Sequence, residues 1–408
     1  MPKGWLVLLL PLAANAAEVR IVRQDARWVL LRDGHPYFIK GAVAPSRFTE
    51  LAAAGGNSVR TSSRNLDAAR DAGLTALVNL PLGNPRHGFN YADKEAVQKQ
   101  RDRIRDLVKQ FKGHPATLMW AIGNEPEIRT TAEERVPVLK EIDQIARMIK
   151  GLDPQHPVIT VIGGQYKQML HEVRELCPAL DAIGLNSYMD MLTMPEDVAR
   201  EGWTKAYVVT EFGPRGHWQV PKTAWKVPIE DTSSEKAAFY EKAYRHAVMD
   251  RANCLGSYVF YWAFKQEKTH TWYGMWLEDG SRTESMDVMT RLWTGKEPPN
   301  RCPRISPIRW SAKDGVYAVE IETTDADGDP LRIDWDARKD VADNPNVGGD
   351  YEPPTAPIPG CVRETSGARA SIVLPAEAGN YRIFVTVHDG KGNAATANLP
   401  LRRDASGQ

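Results

Sequence analysis

The sequence predicts an α/β protein, a (β/α)₈ TIM barrel followed by a small all-β sandwich domain. Two observations support the barrel: eight short apolar runs lie between residues 37 and 262, and amphipathic helical patterns alternate with them. A third observation supports the sandwich. From residue 303 onward the chain carries alternating strand patterns separated by turn signals. A length of 408 residues accommodates both domains.

Residues 1–16 are predicted to form a cleaved secretory signal. Lys3 is followed by the apolar run WLVLLLPLAA, and Ala14-Asn15-Ala16 has the small-x-small form of a signal-peptidase site. This run is shorter than the roughly 20 residues that span a bilayer, and a retained membrane anchor is the alternative. The sequence therefore predicts an exported protein, periplasmic or secreted. The lack of any Asn-x-Ser/Thr acceptor favours a bacterial envelope or secreted protein.

The catalytic domain is predicted over residues 17–296, beginning with a hairpin that turns at Asp33-Gly34 and closes the bottom of the barrel. An open doubly wound sheet is the alternative, but no glycine-rich phosphate loop follows the first strand. The predicted strands are YFIKGAV (37–43), NSVRT (57–61), LTALVNL (74–80), TLMWAIG (117–123), PVITVIG (157–163), LDAIGLNSY (180–188), AYVVTEFG (206–213) and GSYVFYWAF (256–264).

Helices are predicted over 94–113, 133–152, 233–250 and 281–293, the third capped by Ser233 or Ser234. A Pro-rich linker over 297–302 leads to the sandwich domain, 303–408. In an oxidising compartment Cys302 and Cys361 could pair, whereas Cys177 and Cys254 could equally be buried free thiols. No Cys/His cluster suggests a metal.

Charge excludes some partners. Lys plus Arg and Asp plus Glu balance at 52 each, so no excess points to nucleic acid or to an acidic membrane surface. The content of hydrophobic residues, 42%, is that of an ordinary globular protein.

Two carboxylates mark the predicted active face. Glu125 ends the fourth strand in MWAIGNEPE, and Glu211 lies in the seventh within VVTEFG, where an acid between apolar neighbours is costly unless paired or used. Strand carboxyl ends form the active face of such a barrel, and these two strands lie opposite one another. Two carboxyl groups about 5 Å apart define a retaining glycosidase, with one nucleophile and one acid/base.

A family resemblance supports this chemistry. GHPATLMWAIGNEPE and YVVTEFGPRG resemble the acid/base and nucleophile strands of the large clan of retaining glycoside hydrolases built on this barrel. The first is most similar to family 2, in its His-Pro and its Trp-x-x-Gly-Asn-Glu-Pro. PYFIKGAV and GGNSVRT also resemble family 2, and nearly as well the family 72 β-1,3-glucanosyltransferases and the family 5 β-glycanases. The resemblance covers roughly residues 30–295.

The resemblance implies a role for each matching residue. Glu125 would be the general acid/base and Glu211 the nucleophile, while Asn124 would bind the sugar 2-hydroxyl. A facing carboxylate and partial desolvation would raise the pKa of Glu125. No metal or cofactor is needed.

Three further residues are predicted to bind substrate or to support the nucleophile. Arg60 and Tyr188 would contact Glu211, and Arg60 would lower the pKa of that carboxyl, although Arg60 could also be an ordinary rim ion pair. Trp262 would floor the subsite of the reacting sugar, or could equally pack in the core. Glu127 is expected to be a solvated loop residue, although it could reach a bound sugar hydroxyl. Weaker candidates are Asn79, Gln165, His217, Trp218, Lys265, Gln266, Trp272 and Trp276.

The resemblance is incomplete, and this affects the predicted substrate. Family 2 enzymes usually carry jelly-roll and Ig-like domains before the barrel, whereas only a hairpin precedes it here. An open groove that binds a β-linked polysaccharide is therefore expected, and β-glucan is the first candidate substrate. The alternatives are a β-glucan transglycosylase and a non-catalytic carbohydrate-binding barrel. Oligomeric state is left open.

The C-terminal region has a resemblance of its own. TTDADGDPLRIDW and VTVHDGKGNAATANLPL resemble Ig-like and cadherin-like modules of bacterial surface and secreted proteins. Asp325, Asp327 and Asp329 could bind Ca²⁺. An Asx-turn cluster is the preferred interpretation.

Overall fold

The computed structural model describes residues 17–164, 166–341 and 351–404. The predicted signal, 1–16, and Gln165 lie outside this part of the chain. The described residues begin with a three-stranded antiparallel sheet rather than a single hairpin. Its strands are β1 (Val19–Gln24), β2 (Arg27–Arg32) and β3 (His35–Pro36).

The first turn of this sheet is at Asp25-Ala26, where both residues have positive φ, and only the second is at Asp33-Gly34. Val19 and Leu30 pack with the apolar side chains inside the barrel. The backbone of Trp28 donates a hydrogen bond to Ala252, just before the last barrel strand. The sheet therefore closes the amino-terminal end of the barrel.

Eight parallel strands then close into a barrel, which confirms the predicted fold. They are β4 (Ile39–Val43), β5 (Ser58–Ser62), β6 (Thr75–Leu80), β7 (Thr117–Ile122), β8 (Val158–Ile162), β9 (Ala182–Asn186), β10 (Ala206–Phe212) and β11 (Cys254–Val259). β7, β8, β9 and β11 are buried at every position, as expected for strands covered on both faces.

Helices surround the barrel. They are α1 (Phe48–Ala53), α2 (Leu66–Asp71), α3 (Lys94–Phe111), α4 (Ala132–Leu152), α5 (Tyr166–Leu176), α6 (Met194–Arg200), α7 (Ser233–Ala247) and α8 (Glu284–Thr294). Short 3₁₀ turns occupy Ser63–Asn65, Pro85–His87 and Met189–Leu192. Of the helices in the described ranges, none combines the length and apolar character that crossing a bilayer requires.

The C-terminal region is all-β and antiparallel, as predicted. Its strands are β12 (Arg304–Ile305), β13 (Arg309–Lys313), β14 (Val316–Glu320), β15 (Thr323–Thr324), β16 (Arg332–Lys339), β17 (Val362–Ser366), β18 (Arg369–Val373), β19 (Gly379–His388) and β20 (Ala394–Arg403). Sheets ordered β13-β14-β18-β17 and β16-β19-β20 share one apolar core. Its Ig-like character stays a prediction.

The four cysteines are buried and free, so Cys302 and Cys361 do not form the disulfide that the sequence left open. Cys302 lies against the barrel, where its backbone N–H donates to the Asp287 carboxylate at 2.6 Å. Cys361 belongs to the sandwich core. Burial raises the pKa of the Cys177 and Cys254 thiols to about 12, which keeps them protonated.

Of the three aspartates that could bind Ca²⁺, only Asp327 is separated from the other two. Asp325 Oδ1 accepts the backbone N–H groups of Asp327 at 2.9 Å and Asp329 at 3.0 Å, as in the preferred Asx-turn interpretation. The Asp327 side chain pairs with Arg301 at 2.7 Å. The carboxylates that gather, with oxygens within 4.8 Å of one another, are those of Asp325, Asp329 and Asp389.

Candidate active site

The chain turns polar immediately after β7. Gly123 has a φ of 72°, and a Cβ there would lie 2.9 Å from the Leu82 side chain, so glycine is required. Glu125 is also left-handed, with a φ of 48°, and its backbone N–H donates to Val161 at 2.9 Å. This turn places the Glu125 carboxyl at the carboxyl end of the barrel.

Glu211 on β10 is held at both carboxylate oxygens. Its Oε1 accepts a hydrogen bond from Arg60 Nη1 at 2.8 Å, and its Oε2 accepts one from the Tyr188 hydroxyl at 3.3 Å. Its side chain is 13% exposed. The carboxylate is therefore oriented by two groups while still reaching the pocket.

Arg60 on β5 joins the polar side chains of this face. It is 2% exposed. Its Nε donates to Asn79 at 3.1 Å, its Nη2 to Asn124 at 2.6 Å, and its Nη1 also to the Thr210 carbonyl at 3.1 Å. A buried guanidinium with this many acceptors has little freedom to move. Arg60 thus fixes residues from neighbouring and opposite strands relative to Glu211.

Asn186, at the end of β9, connects the two carboxyl groups. Its Oδ1 accepts from Arg60 Nη1 at 3.2 Å, and its Nδ2 donates to Glu125 Oε1 at 2.9 Å. The same nitrogen is 3.1 Å from Asn124 Oδ1. Glu211 and Glu125 are therefore linked through two side chains, and both belong to one site.

The electrostatic surroundings of Glu125 favour its protonated form. Loss of hydration raises the pKa of its carboxyl to about 8, and the charges of Glu211 and Glu127 act in the same direction. The hydrogen bond from Asn186 and the charge of Arg60 oppose this rise. At neutral pH Glu125 can thus donate a proton while Arg60 balances the charge of Glu211.

Comparison with protein families matches this part of the chain. The model described as "Glycosyl hydrolases family 2, TIM barrel domain" matches residues 72–280, which include both glutamates. The chain belongs to this family.

Curated relatives of this family 2 chain match over part of their length. The β-glucuronidase of Felis catus is 27% identical over 131 residues, 29% of this chain and 19% of that protein. The β-glucuronidase of Streptococcus agalactiae serotype V is 25% identical over 201 residues, 45% of this chain and 30% of that protein. The aligned regions thus span less than a third of either relative.

Solved structures share the fold. Bacteroides uniformis β-glucuronidase has a TM-score of 0.51 at 12% identity, covering 95% of this chain and 48% of that chain. Bifidobacterium dentium β-glucuronidase complexed with coumarin-3-O-glucuronide has a TM-score of 0.52 at 16% identity, covering 68% of this chain and 49% of that chain. These similarities concern the fold alone.

The structure brings five of the six predicted site residues together: Glu125, Glu211, Arg60, Asn124 and Tyr188. Arg60 and Tyr188 contact the Glu211 carboxylate, as the sequence predicts. The catalytic and substrate-binding roles assigned to these five stay predictions.

Trp262 is placed elsewhere, so its assignment as the floor of the subsite is wrong. Its side chain is fully buried in the core between barrel and helices, with its ring 6.0 Å from that of Trp293 on α8. The preceding residue, Tyr261, is half-buried, and burial together with the charge of Glu211 raises the pKa of its phenol. Tyr261 is therefore close enough to the site to interact with the charge of Glu211.

Sequence reasoning missed two residues. Asn186 was visible only as a polar residue ending an apolar strand. Glu127, expected to be solvated, is 2% exposed, and its Oε1 accepts the backbone N–H of Gly163. Repeated acids in NEPE were the signal, but no spacing rule distinguishes a buried acid from a solvated one in such a turn.

The weaker candidates differ in their distance from the site. Asn79 contacts Arg60, as described above. Trp218 is 51% exposed with its ring 5.4 Å from that of Tyr188, so it lies at the rim of the site. Trp272 and Trp276 are buried.

Proposed function

We propose that this chain is a retaining β-glycosidase that hydrolyses an O-glycosidic bond through a covalent glycosyl-enzyme. One observation carries the proposal: Glu125 and Glu211 share a site through Arg60 and Asn186, where burial favours a proton on Glu125 and the Arg60 guanidinium contacts the Glu211 carboxylate. Such a division of labour between two carboxyls is what double displacement requires.

The reaction follows from this geometry. Glu211 attacks the anomeric carbon as the bond to the leaving oxygen breaks, and Glu125 gives its proton to that oxygen. Once the ester forms, Glu211 has no negative charge, so the pKa of Glu125 falls. Glu125 then takes a proton from an incoming water, whose oxygen displaces Glu211. Two inversions leave the product in the β-configuration.

β-Glucuronosides are the substrates we propose. Curated relatives and solved structures described above are named β-glucuronidases, and they offer no support for a β-glucan donor or for transglycosylation. A cation also lies beside the site: Lys265 Nζ is 5.8 Å from the ring centroid of Tyr261. That cation could interact with a sugar carboxylate, although Glu267 already pairs with it at 3.1 Å.

Aryl β-glycosides provide the test. The protein is incubated with matched nitrophenyl glucuronide, glucoside and galactoside, and ¹H NMR follows the first anomer released. We expect the β-anomer and fastest turnover of the glucuronide. Glu211→Gln serves as the matched control and should lose at least about 10³-fold in kcat. Initial release of the α-anomer, or full activity in that variant, would contradict the proposal.

We further infer export from the N-terminal sequence of residues 1–16. Edman sequencing of the protein from whole cells and from the released periplasm should find a new terminus at Ala17. An intact Met1 in both fractions would contradict export by cleavage.

A further inference from the structure

We propose that Glu127 is a positioning residue that holds the acid/base carboxyl of Glu125 in place and protonated. The inference rests on the proposed glycosidase function and deepens it, because the proposed reaction uses Glu125 and Glu211 and gives Glu127 no role. Glu127 is 2% exposed, although it lies in a loop only two residues after Glu125. A buried carboxylate is costly, so its contacts need a physical explanation.

Gly163 is the contact between the two glutamates. Glu127 Oε1 accepts the backbone N–H of Gly163, the first residue after β8. Gly163 also packs closely against the Glu125 carboxyl. If this glycine carried a Cβ, that atom would lie 2.9 Å from Glu125 Oε1 and 3.1 Å from the Glu125 carboxyl carbon. Glu127 therefore fixes the backbone against which the acid/base carboxyl rests.

The turn that carries both acids is tied at several points. The Glu127 carbonyl accepts the backbone N–H of Thr130 at 3.1 Å and the Thr130 hydroxyl at 2.5 Å. The Glu125 carbonyl accepts from Asn84 Nδ2 at 3.2 Å and from the Ile128 N–H at 3.3 Å. A side chain within such a turn acts on its neighbour through a fixed geometry.

Charge gives Glu127 a second effect on Glu125. The negative charge of Glu127 raises the pKa of Glu125, as Glu211 does more strongly, while Arg60 lowers it. The Tyr188 phenol contacts the Glu211 carboxylate. Loss of a negative charge at residue 127 should therefore make Glu125 release its proton at lower pH.

The pKa of Glu127 lies close to that of Glu125. Burial raises the pKa of its carboxyl to about 7, against the Gly163 hydrogen bond and the charges of Arg86 and Arg135. Its second oxygen, Oε2, is buried without a hydrogen-bond partner among the described residues. The charge that Glu127 carries once it has lost its proton is therefore one of the charges that raise the pKa of Glu125.

The test uses Glu127→Gln, which keeps an oxygen for Gly163 and removes the charge. For a glycoside with a poor alkyl leaving group, we expect the alkaline limb of kcat/KM to move down by about half a pH unit, about threefold in rate above the pKa. The kcat/KM for a dinitrophenyl glycoside, whose leaving group needs no acid assistance, should differ between the wild type and this variant by less than about twofold. An equal loss on both substrates, or an unmoved limb, overturns the proposal.

Gly163→Ala is the second variant. It is needed because burying the glutamine side chain of Glu127→Gln could prevent folding. It leaves Glu127 intact and crowds the Glu125 carboxyl, so the alkyl glycoside should again lose more than the dinitrophenyl one. Glu141→Gln is the matched control, since Glu141 is 5% exposed but pairs with Arg101 between α3 and α4. Its pH profile should equal that of the wild type.

A measurement without turnover separates this inference from the proposed function. The Glu125 carboxyl of the ¹³C-glutamate-labelled protein, assigned with Glu125→Gln, is titrated by NMR in the wild type and in Glu127→Gln. We expect a lower pKa in the variant, and an unchanged pKa overturns the inference even if no substrate is found. Failure of the wild type to cleave any glycoside would count against the proposed function alone.

Discussion

Two glutamates of the same site differ because their neighbours differ. Glu211 accepts hydrogen bonds from a guanidinium and a phenol, whereas Glu125 accepts one from the Asn186 amide and loses much of its hydration. Since the side chains are chemically identical, only their environment can give them the separate roles proposed above, in which one donates a proton and the other attacks.

This difference predicts the pH dependence of catalysis. Because the pKa of Glu125 is raised to about 8, kcat/KM for an alkyl glycoside should fall as pH rises through that value and the proton is lost. Steady-state rates between pH 5 and 10, each at a pH where circular dichroism shows folded protein, measure it. The limb should vanish in Glu125→Gln, with kcat lower by about 10²-fold or more. A limb that persists in this variant would assign the titration to another group.

Lys265 permits a test of substrate charge. Its side chain is 18% exposed and lies near Tyr261, so a carboxylate on the reacting sugar could interact with it. Lys265→Met should lower kcat/KM about tenfold for the β-glucuronide and less than about twofold for the β-glucoside. Lys242→Met, on the exposed surface of α7, is the control. Equal losses on both glycosides would argue against recognition of a carboxylate.

At the scale of elements, the start of α7 shows how adjacent hydroxyl residues take different roles. Thr232, with extended backbone, caps the helix: its Oγ1 accepts the Glu235 N–H at 3.1 Å, and the Glu235 carboxylate accepts the Thr232 N–H in return. Ser233 and Ser234, the predicted caps, instead accept backbone N–H groups of β20 and β12. The helix begins where predicted, but the sandwich recruits those two hydroxyls.

Removing the true cap should cost stability. Thr232→Ala loses the oxygen that satisfies the Glu235 N–H, and we expect the free energy of unfolding to fall by about 1 kcal/mol, measured by urea denaturation. Thr232→Ser keeps the hydroxyl and should stay within a few tenths of a kcal/mol. No loss in the alanine variant would mean that water replaces the cap without cost.

At the scale of the whole molecule, barrel and sandwich are joined by buried polar contacts. Arg382 on β19 is 1% exposed and donates to the Asp340 carboxylate at 3.0 Å. It also donates to the Pro228 carbonyl in the barrel loop before α7 at 3.0 Å. A charge buried at this junction couples the stability of the sandwich to that of the barrel.

Arg382→Met tests that coupling. Loss of the guanidinium removes a cation from buried Asp340, so the free energy of unfolding should fall by about 3–5 kcal/mol. We expect calorimetry to show a sandwich transition that separates from the barrel transition and moves to lower temperature. Arg402→Met, an exposed change on β20, is the control. An unshifted thermogram would mean that the junction contributes little.

Much of the site was predictable from local sequence because barrel topology is regular. Apolar runs and their lengths predicted the eight strands, and parallel strands bring all their carboxyl ends to one face. Glu125, Glu211, Arg60 and Asn124 could thus be assigned to one site from their positions at strand ends. Family 2 membership agrees with that reading.

The sequence by itself determined the order of elements, the two carboxylates and the face on which they lie. Tertiary structure decided which side chains reach the site. Tyr261 and Trp262 lie beyond the end of β11, where strand alternation no longer predicts side-chain direction, so only their neighbours distinguish them. Burial of Glu127 depends on Gly163, which is distant in sequence and meets it only when strands β7 and β8 pair.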